Sequence, residues 1–469
     1  MTEKGAEETI KKVKFVLDTI RNNGGQAYLV GGCVRDLILG RTPNDYDIAT
    51  NLLPEQVKKL FSKTVNEAGE KHLTVTVVIE GYPIEVTTFR KETSYSDGRH
   101  PDDVIPAKTI EEDSARRDFT INAMNSLDGA KVDVDPHDGM KDLKDKLIRC
   151  VGNTRDRLDE DKLRALRAVR FASQLGFILD KELLKEIPKT SLEQISKERI
   201  QVELIKILSS DNPAQGIDLL RKTWLLKQIV PELEEGIKVD GGNHHDESVY
   251  EHNLLALNAC AKQSKDWRLR FSALLHDVGK PRCLSNDDNG LHFYQHEKVG
   301  GDMTRNIMQR LKFSNSDIDY VTNMVKYHMY TAYKSGETIS KRTIKNLVRG
   351  IGEENVMDMV ILNYSDREGN IAKDHTPFRL FVEKYSIWNR WEEIRKADAV
   401  LKVTDLAVNG YDLMKLGYKG KEIGEMQRMM LERVDGDEMW NSKVELLDFA
   451  KWYKLHQPKL KELVGGNKK

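Results

Sequence analysis

The sequence predicts a mixed α/β head followed by a long, all-helical body. Near the N-terminus, "AYLVGG" and "LTVTVVIEGYPIEVTTFR" (73–90) have the composition and turn-forming glycines of β-strands. From about residue 155, apolar residues recur at helical spacing, as in "EDKLRALRAVRFASQLGF" and "ERIQVELIKILSS". A break at "KVDGGNHHDES" (238–248) precedes a second helical stretch. These observations favour an α+β head joined to helical modules.

The same pattern divides the 469 residues into four parts. We expect a head at 1–150, a helical neck and body at 151–240, an independent helical module at 244–370 and a helical tail at 371–469. An amphipathic helix is expected at 5–22, before the first strand.

Composition excludes several classes of protein. The 74 Lys+Arg residues balance 75 Asp+Glu, so net charge does not select an acidic partner. The four cysteines are scattered and never form a CxxC pair, which argues against a disulfide framework or a zinc knuckle. No run of about 18 apolar residues and no apolar signal-peptide centre is present. We therefore expect a cytoplasmic protein with no membrane partner.

The segment "YLVGGCVRDLILGRTPNDYDIAT" (28–50) joins a predicted strand to a predicted helix through Gly31 and Gly32. Because glycine has no Cβ atom, a ligand can approach this turn closely. The following residues favour a helix whose first N–H groups face the same point, an arrangement that binds anions. Arg35, one turn into that helix, adds a guanidinium that can bind phosphate through two hydrogen bonds. The stretch predicts a phosphate-binding turn; a plain strand–turn–helix is the alternative.

Asp45 and Asp47 follow this turn at i, i+2 spacing. On an extended segment they project to the same side, where two carboxylates repel each other unless a cation lies between them. Their oxygen ligands suit Mg²⁺, so the pair predicts a magnesium site rather than a solvated acidic turn. Glu85 in "IEVTTFR" is a candidate third carboxylate, because Ile84, Val86 and Thr88 would face the other way. An exposed strand glutamate is the alternative.

Together these features resemble the signature of the polymerase-β-like nucleotidyltransferase superfamily. The nearest resemblance is to class II tRNA nucleotidyltransferases, the CCA-adding enzymes, whose relatives include bacterial poly(A) polymerases. It covers about residues 25–235 and implies a head with a mixed sheet. The resemblance implies that Gly31 and Gly32 hold a triphosphate while Asp45 and Asp47 bind two Mg²⁺ ions. In such a site one ion activates the attacking hydroxyl and the other stabilises the leaving pyrophosphate.

Two further stretches of the head resemble this family. "ETSYSDGRHPDDV" (92–104) resembles the loop that CCA-adding enzymes carry and that enzymes adding only CC lack. "ARRDFTINAM" (115–124) matches the family's second motif, in which Arg116 and Arg117 bring permanent positive charges. The resemblance implies a nucleotide contact for Arg117 and a ribose or orienting role for Asp118. A salt bridge at a helix start is the alternative.

The segment "DEDKLRALRAVRFASQLGF" (159–177) places charged residues on an otherwise apolar predicted helix: Glu160, Asp161, Arg164, Arg167 and Arg170. Because residues three apart are helix neighbours, Asp161 and Arg164 are predicted to act together as an acceptor beside a donor. Cytosine and adenine both present an amino group beside a ring-nitrogen acceptor, whereas uracil and guanine present the opposite polarity. The pair would select C and A, since a mismatch leaves buried polar groups unsatisfied.

This helix also resembles the family's EDxxR motif, in which a protein side chain replaces a nucleic acid template. Arg167 and Arg170 would then line the phosphate or stacking side. An exposed ladder of ion pairs is the alternative, and it is a common feature of helix surfaces.

A second set of motifs begins at residue 252, with "YEHNLLAL", "LLHDVGKP", "YQHE", "VKYHMY" and "NYSDRE". It resembles the HD superfamily of metal-dependent phosphohydrolases. The resemblance implies a divalent metal bound by His252, His276, Asp277 and Asp366, and His296 and His328 could bind a second ion. A helical module that keeps the motif but only packs or binds RNA is the alternative.

The predicted function is addition or repair of the 3′-CCA end of tRNA with CTP, ATP and Mg²⁺. Three alternatives stay open: an enzyme that adds only the terminal A, a poly(A) polymerase, and an HD phosphohydrolase with a nucleotide-sensing head. The sequence leaves the oligomeric state open. Its basic end, "KWYKLHQPKLKELVGGNKK", could contact an RNA backbone.

Overall fold

The computed structural model describes residues 3–65, 73–92, 104–240, 247–288, 290–330, 340–370, 377–396, 402–435, 439 and 441–465. The predicted loop at 92–104 lies, except for its two end residues, outside the described residues. Among the described residues, no helix is long and apolar enough to cross a membrane. The chain forms two units: residues 1–234 with 310–312, and residues 235–309 with 313–469.

The first unit contains a mixed sheet and a helical neck, as predicted. Its helices are α1 (Glu3–Asn22), α2 (Gly32–Ile38), α3 (Pro54–Leu60), α4 (Ile110–Ser114), α5 (Gly139–Lys144), α6 (Thr154–Glu160), α7 (Leu163–Leu175), α8 (Lys181–Glu186), α9 (Lys197–Leu208), α10 (Pro213–Lys222) and α11 (Leu226–Ile229). Its strands are β1 (Ala27–Val30), β2 (Asp47–Thr50), β3 (Thr64–Val65), β4 (Thr74–Ile79), β5 (Tyr82–Thr88), β6 (Arg90–Glu92), β7 (Val104–Pro106), β8 (Asn125–Ser126), β9 (Leu147–Ile148) and β10 (Ile178–Leu179).

Six strands of the head form one sheet in the order β3-β4-β5-β2-β1-β8. Strand β2 pairs antiparallel with β1 and parallel with β5, which makes the sheet mixed. The predicted strand pair at 73–90 is present as β4 and β5, and Ile79 pairs with Tyr82 across the turn. Both turn residues, Glu80 (φ 47°) and Gly81 (φ 81°), have positive φ, which suits the right-handed twist of a two-residue hairpin.

Alternation along β5 separates a core face from a polar face. Ile84, Val86 and Thr88 are buried, whereas Glu85 between them is exposed. Helix α1 buries one apolar stripe, formed by Val13, Val16, Leu17 and Ile20. Burial of each such side chain stabilises the fold by about 1.5–3 kcal/mol. The core therefore fixes β5 with its carboxylate on the polar face.

The neck differs from the predicted single helix at 159–177. Helix α6 ends at Glu160 and α7 begins at Leu163, while Asp161 has extended backbone angles (φ −141°, ψ 104°). The side chain of Asp161 accepts a hydrogen bond from the Leu163 backbone N–H and so satisfies a donor in the first turn of α7. The prediction that Asp161 and Arg164 lie on one helix is wrong.

The second unit is helical, with one short hairpin. The elements of this part of the chain are α12 (Val249–Gln263), α13 (Trp267–Leu275), β11 (Ser285–Asp287), β12 (Gly290–His292), α14 (His296–Arg310), α15 (Asn315–Tyr327), α16 (Lys341–Ile351), α17 (Val356–Glu368), α18 (Pro377–Lys396), α19 (Gly410–Lys415), α20 (Lys421–Asp435) and α21 (Lys443–Gly465). The fully buried Arg270 of α13 donates hydrogen bonds to the carbonyl oxygens of Ala261 and Ser264 at the end of α12. These bonds join the two helices that carry His252 and His276.

The C-terminal helices form a hydrophobic cluster of their own. Leu413, Met430 and Leu446, from α19, α20 and α21, are buried in it. Asp435 at the end of α20 is buried and forms ion pairs with Lys345 and Arg349 of α16. A buried carboxylate needs such compensation, so these pairs join the tail to the preceding helices.

Candidate active site and metal centre

The turn between β1 and α2 requires glycine at its first position. Gly31 has φ 77°, and a Cβ atom there would lie 2.9 Å from Nη1 of Arg117. The same Cβ would lie 3.8 Å from a carboxylate oxygen of Asp47. Any larger residue would therefore strain the backbone and displace the arginine. The absence of a side chain lets the turn, one guanidinium and one carboxylate share a small space.

Strand pairing brings two of the three predicted carboxylates side by side. Asp47 pairs with Val30 on one neighbouring strand and with Glu85 on the other. Asp45 precedes the strand by two residues and is exposed. Burial, together with the charges of Asp45 and Glu85, raises the pKa of Asp47 from 3.8 to about 6, and Arg117 only partly opposes this. The site has an excess of negative charge, which fits the binding of cations.

Arg117 is held in place by Asp113, a residue that the sequence analysis missed. The buried carboxylate of Asp113 accepts hydrogen bonds from Arg116 Nε (3.0 Å) and Arg117 Nη2 (3.3 Å). It also accepts one from the backbone N–H of Arg90. An aspartate three and four residues before two arginines is a detectable sequence signal. Asp113 thus orients Arg117 while leaving it positively charged near Asp47.

Asp118 forms an ion pair with the neck. Its carboxylate accepts two hydrogen bonds from Arg167, at 2.9 Å and 2.5 Å, and another from Asn122. Burial alone would raise the pKa of Asp118, but Arg167 and these hydrogen bonds outweigh it and hold the pKa far below its usual range. This contact supports an orienting role for Asp118, while its predicted ribose contact stays a prediction.

Arg35 and Arg170 are buried and have protein partners. Arg35 donates a 2.6 Å hydrogen bond to Asn122, and its guanidinium lies 5.1 Å from the ring centre of Phe171. Arg170 pairs with Glu203 at 2.6 Å and stacks 3.9 Å from the same ring. These contacts give both arginines a structural role. Their predicted contacts with phosphate stay predictions.

The two predicted base-reading residues have separate partners. Arg164 is buried and donates to Glu160 and to the backbone carbonyl of Arg157. Asp161 accepts from Arg199 at 3.0 Å. Their side chains thus have different partners, although the backbone N–H of Arg164 donates to the carbonyl oxygen of Asp161 at 2.9 Å. Their action on a base edge stays a prediction.

In the second unit, six predicted metal ligands form one cluster, of which five are buried and Asp366 is half-buried. The cluster contains two groups of three residues, and within each group the ligand atoms lie within 4.8 Å of one another. One group is His252, His276 and Asp277; the other is Asp277, His296 and His328. We call these the first and second half-sites; Asp277 belongs to both. Asp366 approaches the first half-site, with its carboxylate 3.0 Å from His252 Nε2. The cluster thus contains two neighbouring groups of candidate metal ligands.

The imidazole rings have the orientation that metal ligation needs. His276, His296 and His328 each bond through Nδ1 to a backbone carbonyl oxygen three residues earlier, at 2.9, 2.8 and 2.6 Å. Such bonds place the proton on Nδ1 and turn the Nε2 lone pair toward the centre. The four Nε2 atoms lie close together, with 3.1 Å between His252 and His276 and 3.3 Å between His296 and His328.

Charges in the cluster also fit a bound cation. Burial alone would lower the pKa of His276, but the carboxylates of Asp277 and Asp366 raise it to about 10. Burial opposes ionisation of Asp277, yet His276 and Lys280 hold the pKa of Asp277 well below its usual range. Lys280, in the "HDVGKP" motif, lies 2.7 Å from Asp277. The carboxylates stay charged, so the pocket needs positive charge, from protons or metal ions.

Segments of both units match the profiles of known protein families. The profile of the "Poly A polymerase head domain" matches residues 27–149, that of the "Probable RNA and SrmB- binding site of polymerase A" matches 176–237, and that of the "HD domain" matches 249–349. Asp366 lies beyond the last match.

Some relatives match about half of the chain, and others match nearly all of it. The CCA-adding enzyme of Ligilactobacillus salivarius is 47% identical over 222 residues, 47% of this chain and 54% of that protein. The chain thus spans about half the length of the first relatives it matches. The CCA-adding enzyme of Lactiplantibacillus plantarum is 31% identical over 444 residues, 93% of this chain and 95% of that protein. The crystal structure of Bacillus stearothermophilus CCA-adding enzyme in complex with CTP has 25% identity and a TM-score of 0.68, covering 96% of this chain and 98% of that one.

The charge at Asp47 predicts a pH-dependent stability. Because its pKa is raised in the folded state, the folded chain retains a proton between about pH 4 and pH 6 that the unfolded chain releases. The free energy of unfolding of the metal-free protein therefore falls as the pH rises through this range. Asp47→Asn should stabilise the protein at pH 7, by at most about 3 kcal/mol, and not at pH 4.

Thermal unfolding in the presence of a chelator measures this effect. Asp159→Asn, the same substitution at an exposed site paired with Arg155, is the matched control. Addition of Mg²⁺ at pH 7 should stabilise the parent more than Asp47→Asn. Equal midpoints for parent and Asp47→Asn at both pH values would contradict the assignment.

Proposed function

The chain belongs to the family of CCA-adding enzymes, and from this premise we propose that it completes or repairs the 3′-CCA end of tRNA from CTP and ATP. The observation that carries this proposal is the position of Asp47 beside Glu85, with Asp45 two residues away, next to the Gly31 turn and Arg117. This arrangement combines an anionic metal site with a cationic contact for a triphosphate.

Asp45, Asp47 and Glu85 would hold two Mg²⁺ ions, which supply activation of the attacking 3′-hydroxyl and stabilisation of the leaving pyrophosphate. Carboxylates on paired strands are held rigidly, so they present their oxygens with little reorganisation. Arg117, fixed by Asp113 and always charged, orients the triphosphate beside the carboxylates. Gly31 lets the nucleotide approach the backbone.

We assign the choice of base to Asp161 and Arg164, an acceptor and a donor for the edges of cytosine and adenine. In the nucleotide-free chain these groups are paired with Arg199 and Glu160. Binding of a base requires an exchange of these partners for the base edge. Such an exchange rejects a wrong base, because a mismatch leaves the desolvated charges without hydrogen bonds.

A primer assay distinguishes this function from its neighbours. The full-length protein is incubated with tRNA ending before the CCA, with tRNA ending in CC, or with a generic RNA, and with each nucleoside triphosphate singly or together. We expect C, C and A to be added to the first substrate and A alone to the second. Addition of A only to the CC-ending tRNA would indicate an A-adding enzyme. Extension of generic RNA with a run of A would indicate a poly(A) polymerase.

Asp45→Ala and Asp47→Ala should each abolish nucleotide addition, by at least about 1,000-fold, since the metal ions lose their ligands. Binding of tRNA, measured by filter retention, should change little. Asp159→Ala is the control for loss of a carboxylate at an exposed ion pair. Near-normal turnover by either active-site variant would overturn the metal assignment.

Asp161→Ala and Arg164→Ala should relax base selection more than they weaken triphosphate binding. We expect incorporation of UTP and GTP to rise relative to CTP by about 10-fold or more, since one unsatisfied buried polar group costs about 1–3 kcal/mol. Single-turnover incorporation of each nucleotide measures the ratio. The selecting role is wrong if misincorporation stays at the parent level while binding of all nucleotides is lost.

A second candidate function belongs to the second unit and is carried by its buried cluster. We propose that this cluster binds two divalent ions and hydrolyses a phosphate ester, such as the 2′,3′-cyclic phosphate of a damaged tRNA end. A centre of imidazoles and carboxylates accepts transition metals as well as Mg²⁺. When bound, the ions supply a water of lowered pKa and charge stabilisation. The two half-sites would hold these ions, and Asp277 belongs to both half-sites.

The double variant His276→Ala/Asp277→Ala should lose the divalent metal of this unit while retaining nucleotide addition by the head. Elemental analysis of the purified full-length protein and the primer assay measure the two properties. Hydrolysis of a 2′,3′-cyclic nucleotide should disappear with the metal. A metal-free parent protein, with normal tRNA affinity that falls in the variant, would instead make this unit an RNA anchor.

A further inference from the structure

Within the metal cluster, the surroundings of Nδ1 in His252 differ from those in the other three histidines. His276, His296 and His328 turn Nδ1 to backbone carbonyl oxygens, whereas Nδ1 of His252 lies 3.2 Å from a carboxylate oxygen of Glu247. Both side chains are buried, with exposed fractions of 1% and 4%. Glu247 precedes α12 and lies outside the segment that matches the HD domain. The difference affects only the first half-site.

We propose that Glu247 is a positioning residue that strengthens metal binding at the first half-site through His252. This inference rests on the metal centre proposed above. This 3.2 Å contact lacks hydrogen-bond geometry, so Glu247 acts through its charge: a full negative charge beside Nδ1 makes the ring a stronger donor through Nε2. In the second half-site, Nδ1 of His296 and of His328 contacts a backbone carbonyl oxygen at 2.8 and 2.6 Å, and the carboxylate of Glu297 lies farther away, 4.0 Å from Nδ1 of His296. The two half-sites therefore differ in affinity, and the first binds an ion before the second.

The surroundings of Glu247 support this role. A buried carboxylate is destabilising unless a positive charge or a donor faces it. His252 faces it on one side, and the ion bound by that same ring would add positive charge beyond. Nε2 of His252 in turn lies 3.0 Å from Asp366 and 3.7 Å from Asp277. His252 thus lies between Glu247 on one side and the candidate ligands Asp366 and Asp277 on the other.

Half-site variants of the full-length protein isolate the effect. The double substitution Asp45→Ala/Asp47→Ala removes metal ligands of the head. Added to it, His328→Ala leaves only the first half-site intact, and His276→Ala leaves only the second. Into each background we place Glu247→Ala, Glu247→Gln or the control Glu251→Gln. Glu251 is an exposed glutamate four residues away that caps α12 through Ser248, a role that glutamine keeps. Titration of the chelator-treated proteins with Co²⁺, followed by visible absorption, gives the affinity.

At the first half-site, Glu247→Ala should weaken Co²⁺ binding about 10- to 100-fold, the usual effect of losing such a partner. Glu247→Gln keeps the size and shape of the side chain without its charge and should weaken Co²⁺ binding less, with an altered absorption spectrum. Glu251→Gln should have no effect, and no Glu247 variant should change the second half-site. If Glu247→Ala does not fold, Glu247→Gln carries the test.

Parent-like Co²⁺ affinity and spectrum in Glu247→Gln and in a folded Glu247→Ala would overturn the inference while leaving the metal centre intact. Equal weakening at both half-sites would show a general loss of structure and would also overturn it. If the Asp45→Ala/Asp47→Ala protein binds no Co²⁺ in this unit, the metal centre itself is wrong, and the role of Glu247 with it.

Discussion

The register of β2 between β1 and β5 is the constraint on which the head depends. It places Asp47 directly beside Glu85, while Ile48 of β2 and Ile84 and Val86 of β5 are buried in the core. A slip of one residue would send the carboxylates into the apolar core, so core packing enforces the geometry of the site. The fold thereby holds together groups that repel each other. Part of the stability of the core offsets this repulsion until a cation arrives.

The second unit also brings candidate metal ligands together, but its ligands are of a different chemical type. The head offers exposed or half-buried carboxylates, which suit a hard ion that keeps water and phosphate in its shell. The second unit offers buried imidazoles whose orientation is fixed by hydrogen bonds, together with two carboxylates. Such ligands bind transition ions more tightly than they bind Mg²⁺, so we expect the donor chemistry to favour different metals at the two candidate sites.

Local sequence patterns and the family resemblance predicted the fold class, and they singled out candidate residues that the structure brings together, such as Asp47 with Glu85 and His276 with Asp277. Asp45 and Asp47 lie two residues apart, and His276 and Asp277 are adjacent. Both motifs are therefore visible in the sequence. The break at Asp161 could not be predicted in this way, because apolar Leu158, Leu163 and Leu166 continue the helical period across it. What ends α6 is the backbone angle of Asp161 and its bond to the next helix, which periodicity does not report.

Long-range partners were the other limit of prediction. Arg167 lies 49 residues from Asp118, and Arg199 lies 38 residues from Asp161, so only the folded chain pairs them. These pairs change how the arginines are interpreted. Sequence spacing treated Arg35, Arg167 and Arg170 as equivalent candidates for ligand contact.

The structure separates these arginines by accessibility. Arg35 and Arg170 have side chains only 9% exposed and are satisfied by Asn122 and Glu203, whereas the side chain of Arg167 is 34% exposed. A guanidinium has five N–H donors, and Asp118 accepts from only two of its nitrogens in Arg167. Arg167 is therefore oriented by the protein while part of its guanidinium stays exposed. We propose that Asp118 and Arg167 act as a pair in which the aspartate orients the arginine and the arginine contacts the nucleotide.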